Sequence, residues 1–153
     1  MNPMPTRWTR DNERGVVLIE FALVLPLLLV LLAGMFDLGL AFQRYQAVTN
    51  AAREGARMAV LPGYSTTPGG DVDDRVRAYL AASGVPGTPT IVVTKIPMTP
   101  VGGGAVFTTM KVHVQVTHTF TLLGPIATMV GGTFGTVPLT SESVMRVEVS
   151  GGG

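Results

Sequence analysis

The hydrophobic pattern of the chain is dominated by one apolar run, residues 16–36, in which Glu20 is the single charged residue. Folded as an α-helix, a run of this length extends about 31 Å, which matches the hydrocarbon core of a bilayer. It is longer than the apolar region of about 7–15 residues in a cleaved secretory signal, and no A-x-A-like exit follows it. The pattern therefore predicts a retained transmembrane helix.

The helix is predicted to continue beyond this run, from Asp37 to about Val60. Small residues recur there at every fourth position: Ala47, Ala51, Gly55 and Ala59. Such a stripe lets two backbones approach closely. Two alternatives follow for this stripe: it packs against the helix of another subunit, or it seats the helix against a sheet of its own chain.

Turn residues and a second short helix come next. Leu61-Pro62-Gly63 is predicted to end the first helix. Asp71 is predicted to cap a helix that runs to Ala82. The apolar face of this helix is Val72, Val76, Tyr79 and Leu80. The acids at 71, 73 and 74 do not form a calcium loop of the EF-hand type, because Val76 stands where that loop needs glycine.

The remainder of the chain is predicted to form strands. Residues 90–96 are rich in β-branched side chains, residues 106–120 alternate between apolar and polar, and residues 139–149 alternate again. We expect an antiparallel meander of about three strands, covered on one face by helix. Residues 97–104 are predicted to be a loop. The Gly-rich, apolar connection from Leu122 to Pro138 is a hairpin tip or a contact with the membrane or a neighbouring subunit.

The fold class is therefore α+β, with a long N-terminal transmembrane helix that continues into a small domain with an approximately three-stranded antiparallel sheet. Three regions are expected. Residues 1–15 form a cytoplasmic leader, residues 16–60 form the transmembrane helix and its extramembrane continuation, and residues 61–153 form a small extracytoplasmic domain. The orientation follows from Arg7, Arg10 and Arg14, since basic residues before a span favour the cytoplasmic side. The two acids among them, Asp11 and Glu13, reduce this bias.

Composition and charge exclude several classes of function. Only 14% of the residues are charged and the formal net charge is +1, so no basic surface exists to attract nucleic acid. The absence of cysteine removes disulfides, thiol catalysis and Cys-containing zinc sites. His113 and His118, five apart on one strand, face opposite sides and cannot share a metal. Because no catalytic motif is present, we expect neither an enzyme nor a cofactor nor a metal site.

Two residues within the apolar run are unusual. Pro26 removes a backbone donor and is predicted to bend the helix, a change that membrane helices tolerate. An acid at the centre of a membrane helix costs about 2.5–3.5 kcal/mol, and Glu20 costs less because it lies near the cytoplasmic end. Its carboxylate either reaches the interface or pairs with a partner.

The residues around this acid resemble a known processing site. Residues 14–21, RGVVLIEF, resemble the site at which prepilin peptidase cuts type IV pilin-like precursors, after Gly15 and before Val16. Glu20 is then the fifth residue of the mature chain. Residues 20–26 resemble the TadE-like branch, which comprises minor pilins or pseudopilins of tight-adherence (Flp-type) pilus systems. Residues 50–57 and 143–148 are similar to later segments of that branch.

The resemblance implies a function in pilus assembly, with adhesion or secretion as the associated process. Its implied partners are other pilin subunits, the prepilin peptidase, the inner-membrane assembly platform and membrane lipid. The implied location is the bacterial inner (cytoplasmic) membrane, and a pilus after incorporation. Glu20 would serve assembly by accepting the Val16 amine, either within one chain or from a neighbouring subunit. The alternative is an uncleaved, single-pass envelope protein whose outer domain binds a partner.

Overall fold

The first helix joins the membrane segment to the rest of the protein. A computed structural model describes residues 9–104, 106–129, 131–132 and 135–147, with side chains from Gly15 onward. Helix α1 spans Thr9–Ala59 without interruption, so the predicted continuation to about Val60 is confirmed. It ends where Leu61-Pro62-Gly63 follows, and Gly63 adopts a φ of 91° that favours glycine. Residues 1–8 of the predicted leader lie outside the described residues.

Helix α2 spans Asp71–Ala82 as predicted, but the predicted cap is wrong. The N-cap is Gly70, and Asp71 is the first helical residue. The Asp71 carboxylate instead accepts a hydrogen bond from the backbone N–H of Ser65 at 2.8 Å, which closes the preceding loop. A Cβ at position 70 would lie 2.5 Å from the Ser65 Oγ, so this close approach requires glycine at the N-cap.

Three strands form one antiparallel sheet in the order β1-β2-β3. They are β1 (Thr90–Met98), β2 (Phe107–Thr119) and β3 (Thr136–Arg146). The predicted meander is confirmed, but several strand boundaries differ: β2 is one residue shorter at each end, and β3 ends at Arg146. Strand β1 includes Pro97, which was predicted to open a loop, and β3 begins before residue 139 and includes Pro138. Both prolines lie on edge strands, where a missing backbone donor is tolerated. Residues 148–149 of the predicted last strand lie outside the described residues.

A third helix, α3 (Leu123–Met129), lies within the connection for which the sequence predicted no helix. This short element follows the end of β2 and precedes β3. The sheet is closed next to it by a hydrogen bond from the Phe120 N–H to the Gly135 carbonyl at 3.0 Å.

The core lies between one face of the sheet, the C-terminal half of α1 and the apolar face of α2. The buried members of this cluster are Val48, Ala51, Ala52, Ala56, Ala59, Val72, Val76, Leu80, Val85, Met110, Val112, Val114 and Val116. The alternation predicted for β2 explains its part in this core, since the even-numbered side chains from Met110 to His118 are all buried. The opposite face carries Lys111 and His113, which both contact Glu142 of β3.

Candidate functional site

The N-terminal half of α1 presents an apolar surface to its surroundings. All large apolar side chains of residues 16–36 are exposed. Among the described residues α1 is the one helix that is long and apolar enough to cross a membrane. Contact of these exposed apolar side chains with water is unfavourable, so a helix of this composition is stable in an apolar solvent such as the bilayer core. The arrangement fits a single-pass membrane protein.

Gly15, Val16 and Glu20 lie on this exposed part of the helix. A Cβ added to Gly15 would meet no atom within 4 Å, so the backbone at the predicted cleavage position is open on its side-chain face. Val16 and Glu20 are four residues apart and therefore lie on the same face of α1, one turn from each other. Within the described part of the chain, no hydrogen bond or ion pair involves Glu20. Its carboxylate is exposed and available to a partner.

Pro26 lies inside α1, and helix continues on both sides of it. A proline at an interior position removes one backbone hydrogen bond without ending the helix when the surrounding turns are strongly helix-forming, as a run of leucines is. The bend predicted at this position stays a prediction.

The small-residue stripe is covered by the protein's own domain. Ala51 is fully buried and Ala59 nearly so, while Ala47 packs against the edge of the same cluster. Gly55 makes the closest approach, since a Cβ there would lie 2.7 Å from Val76 Cγ2. Of the two alternatives for the stripe, the structure contains the contact with the chain's own sheet and α2.

A polar cluster that the sequence did not reveal lies where α1 leaves the apolar run. Asp37 has no exposed surface. Its Oδ2 accepts hydrogen bonds from the backbone N–H groups of Leu123 at 2.7 Å and Leu122 at 2.9 Å. Its Oδ1 accepts from Thr121 at 3.1 Å and more weakly from Leu122 at 3.2 Å. This carboxylate therefore caps the start of α3 from a different helix.

Burial by itself would raise the pKa of Asp37, but the hydrogen bonds from Leu123, Leu122 and Thr121 outweigh that effect. The pKa of this carboxyl group therefore lies below its usual value, and His118 adds a smaller contribution in the same direction. Local sequence pattern carries no signal for this contact, because its partners lie 84 or more residues apart.

His118 forms the second half of the cluster. Its Nδ1 lies 2.7 Å from a guanidinium nitrogen of Arg44, and since a guanidinium only donates, Nδ1 must accept. The neutral ring then carries its proton on Nε2, which is buried with no hydrogen-bond partner among the described residues. Burial and the charge of Arg44 lower the pKa of His118, while Asp37 acts in the opposite direction. The sequence signal for the burial of His118 is the alternation of β2, which places this residue on the apolar face of the strand.

A surface ion-pair group links α1 to α2. Glu54 Oε1 lies 2.9 Å from a guanidinium nitrogen of Arg57 and 2.9 Å from one of Arg75. Hydrogen bonds from Arg57 and Arg75 lower the pKa of Glu54 to about 2. Within the described residues no group of three His, Cys, Asp or Glu side chains is placed to hold a metal ion. These charges join α1 to α2.

Comparison with known protein families finds a match in the N-terminal part of the chain. Residues 15–57 match the family described as TadE-like protein. The match begins at Gly15 and runs through the apolar run to Arg57, so it covers the exposed half of α1 and most of the half that packs under the sheet. It confirms the resemblance for this segment. No curated protein and no solved structure matches the chain.

Proposed function

Because the chain is TadE-like over residues 15–57, we propose that it serves a Tad/Flp-type pilus system as a minor pilin or pseudopilin. The observation that carries this proposal is the coincidence of the family match with the exposed apolar half of α1. The match begins at the residue after which cleavage was predicted and includes the single acid of the apolar run. The proposed role is structural rather than catalytic.

The proposed path begins with insertion of residues 16–36 into the inner membrane, with the N-terminus in the cytoplasm. Prepilin peptidase then removes residues 1–15 and leaves the Val16 amine. That amine has a reference pKa of about 7.7–8 and is mostly protonated at neutral pH. Glu20, exposed on the same face, pairs with the amine of its own chain or of a neighbouring subunit during assembly on the platform.

Support for a shared role of Val16 and Glu20 comes from the placement of the other charges. Arg57 and Arg75 pair with Glu54, and Arg44 contacts His118, so these cations are held within the domain. Arg44 and Arg57 lie far along α1 from Glu20, since 24 residues of helix between positions 20 and 44 extend about 36 Å. Arg75 lies on α2 and is held beside Glu54. A new α-amine at Val16 would be only one turn from Glu20.

The test is the intact mass of the membrane-extracted protein, produced with and without an active prepilin peptidase. We expect loss of residues 1–15 only when the enzyme is present. Gly15→Leu should block this loss, whereas Gly39→Leu, at another helical glycine with open space around it, should not. An unchanged mass, with a control substrate cut in the same cells, would favour the uncleaved envelope protein that binds a partner through its outer domain.

Incorporation into assembled material provides the second test. Glu20→Leu should leave membrane insertion intact and abolish recovery of the protein with sheared pili or with its co-purified subunits. Glu54→Leu serves as the control, since this acid contacts only residues of its own domain among those described. Equal incorporation of Glu20→Leu and the unmodified protein would refute an assembly role for Glu20.

A further inference from the structure

One exposed apolar segment of the domain is explained neither by the core nor by the proposed assembly role. It is the α3 segment, defined here as residues 122–129. It lies within a stretch from Thr119 to Ser141 that contains no charged residue. Met129 is 87% exposed and Leu122 is 42% exposed. A soluble surface rarely leaves such side chains together without a single charge nearby, so the composition points to an apolar neighbour.

The contacts along α1 show at which level of the molecule this segment lies. Val112 of β2 packs near Gly55, His118 contacts Arg44, and the residues that follow β2 contact Asp37. The chain then reaches Gly34, where an added Cβ would lie 3.9 Å from Leu123 Cδ1. As β2 proceeds, its contacts therefore move toward the N-terminus of α1. The α3 segment begins beside the last residues of the apolar run.

We propose that the α3 segment inserts into the interfacial region of the phospholipid bilayer, beside the transmembrane helix. This proposal rests on the proposed membrane span of residues 16–36. The lipid-facing surface of that span is continuous with Leu123, since Leu123 packs at the level of Gly34. An apolar face of this kind enters the boundary between headgroups and acyl chains to a depth of about 5–10 Å.

The hydrogen bonds of Asp37 make this position chemically acceptable. Backbone N–H groups at the start of a helix lack partners within the helix, and leaving them unpaired is costly where water is scarce. Here Asp37 accepts from the N–H groups of Thr121, Leu122 and Leu123, so the beginning of α3 presents no unpaired donor from these three residues. Asp37 is fully buried one residue beyond the apolar run, and its structural effect is to bind these N–H groups.

The loop at the other end of the sheet provides a matched comparison. Val101 and Val106, in the connection between β1 and β2, are also exposed apolar residues. They adjoin Phe107, which begins β2 at the end of the strand opposite to Thr119. Exposure alone therefore does not distinguish the two ends of the sheet, whereas distance from the apolar run does. Val101 should lie in water.

The experiment measures the depth of a single tryptophan in the full chain reconstituted into phosphatidylcholine and phosphatidylglycerol vesicles. The natural Trp8 is replaced by phenylalanine, and one tryptophan is introduced as Met129→Trp, Val101→Trp or Leu27→Trp. Lipids brominated at shallow or deep acyl positions quench a tryptophan at the matching depth. We expect quenching of the Met129→Trp protein by shallow bromines, about twofold or more above that of Val101→Trp.

Leu27→Trp separates this proposal from the proposed membrane span. If Leu27→Trp is quenched by deep bromines but Met129→Trp is quenched no more than Val101→Trp, the span is supported and the lipid contact of α3 is refuted. Shielding of Met129→Trp from aqueous iodide without quenching by brominated lipid would also refute it, because a protein partner would then cover the segment. Absence of quenching at Leu27→Trp would overturn both proposals.

Discussion

The removal of the Asp37 carboxylate is the sharpest test of how the domain is attached to its helix. Asp37→Ala leaves the backbone of α1 unchanged and takes away the acceptor for three backbone N–H groups at 2.7–3.2 Å. A single helix N-cap contributes about 0.5–2 kcal/mol, and a hydrogen bond to a charged group about 1.5–3 kcal/mol.

These values do not add fully, because the hydrogen bonds share one carboxylate and come from three consecutive residues. We therefore expect Asp37→Ala to lower the free energy of unfolding of the domain by about 2–3 kcal/mol. Asp37→Asn keeps one oxygen acceptor and should lose about half as much. The control is Asp74→Ala, which removes an exposed acid from the first turn of α2 and should cost less than about 1 kcal/mol.

The assay is chemical unfolding of the detergent-solubilised chain, followed by circular dichroism in the near ultraviolet. Hydrogen exchange at residues 121–123 should accelerate in parallel. Because the pKa of Asp37 is lowered in the folded state, its contribution is fully present above its unfolded pKa of about 4. This contribution is lost as the pH falls through the folded pKa. The difference in the free energy of unfolding between the unmodified protein and Asp37→Ala should therefore shrink in acid. Equal stabilities of Asp37→Ala and Asp74→Ala at neutral pH would refute the capping argument.

Three further substitutions test the core, the buried histidine and the surface ion pairs in the same unfolding assay. Gly55→Ala should lower the free energy of unfolding by about 1–2 kcal/mol, because the added methyl group overpacks against Val76. Gly39→Ala, with open space around it, should be neutral or slightly stabilising. A stabilising Gly55→Ala would contradict the close packing. Because the pKa of His118 is lowered in the folded state, the unmodified protein should lose stability as the pH falls below about 6.5. His118→Phe should remove that loss. An unaltered pH dependence in His118→Phe would exclude His118 as the source of the loss. Glu54→Gln should destabilise only slightly, and its effect should disappear in about 1 M salt, since its arginine partners are half exposed or more; a large effect that salt does not change would show that Glu54 has a role in the core.

Local pattern was sufficient to predict the elements whose cause is local. The apolar run, the alternation of β2 and the proline and glycine after Leu61 each determine structure through neighbours within a few residues, and α1, β2 and the end of α1 follow them. Helix α2 was also predicted with its bounds. Its cap was misassigned because the choice between Gly70 and Asp71 depends on a contact with Ser65, which the sequence pattern does not contain.

The elements that the sequence did not predict depend on contacts distant in the chain. Helix α3 is short, contains a glycine and a proline, and has no polar residue of its own placed to cap it, so propensity alone disfavours it. The N–H of its first residue, Leu123, and those of the two residues before it are bound by Asp37, which precedes α3 by more than 80 residues. The same contact explains the burial of an acid that the sequence had placed at the edge of a membrane helix.

The division of α1 into two halves constrains the proposed assembly. In the C-terminal half, the small-residue stripe is covered by α2 and β2, with Gly55 in the tightest contact. A neighbouring subunit could use that stripe only if the domain separated from its own helix and exposed its core. Under the proposed function, close packing between subunits therefore comes mainly from residues 16–36, whose large apolar side chains are all exposed, with Leu38 and Phe42 extending this surface. Glu20 is the one charged group on that surface, which is why its replacement should affect assembly and leave the fold of the domain unchanged.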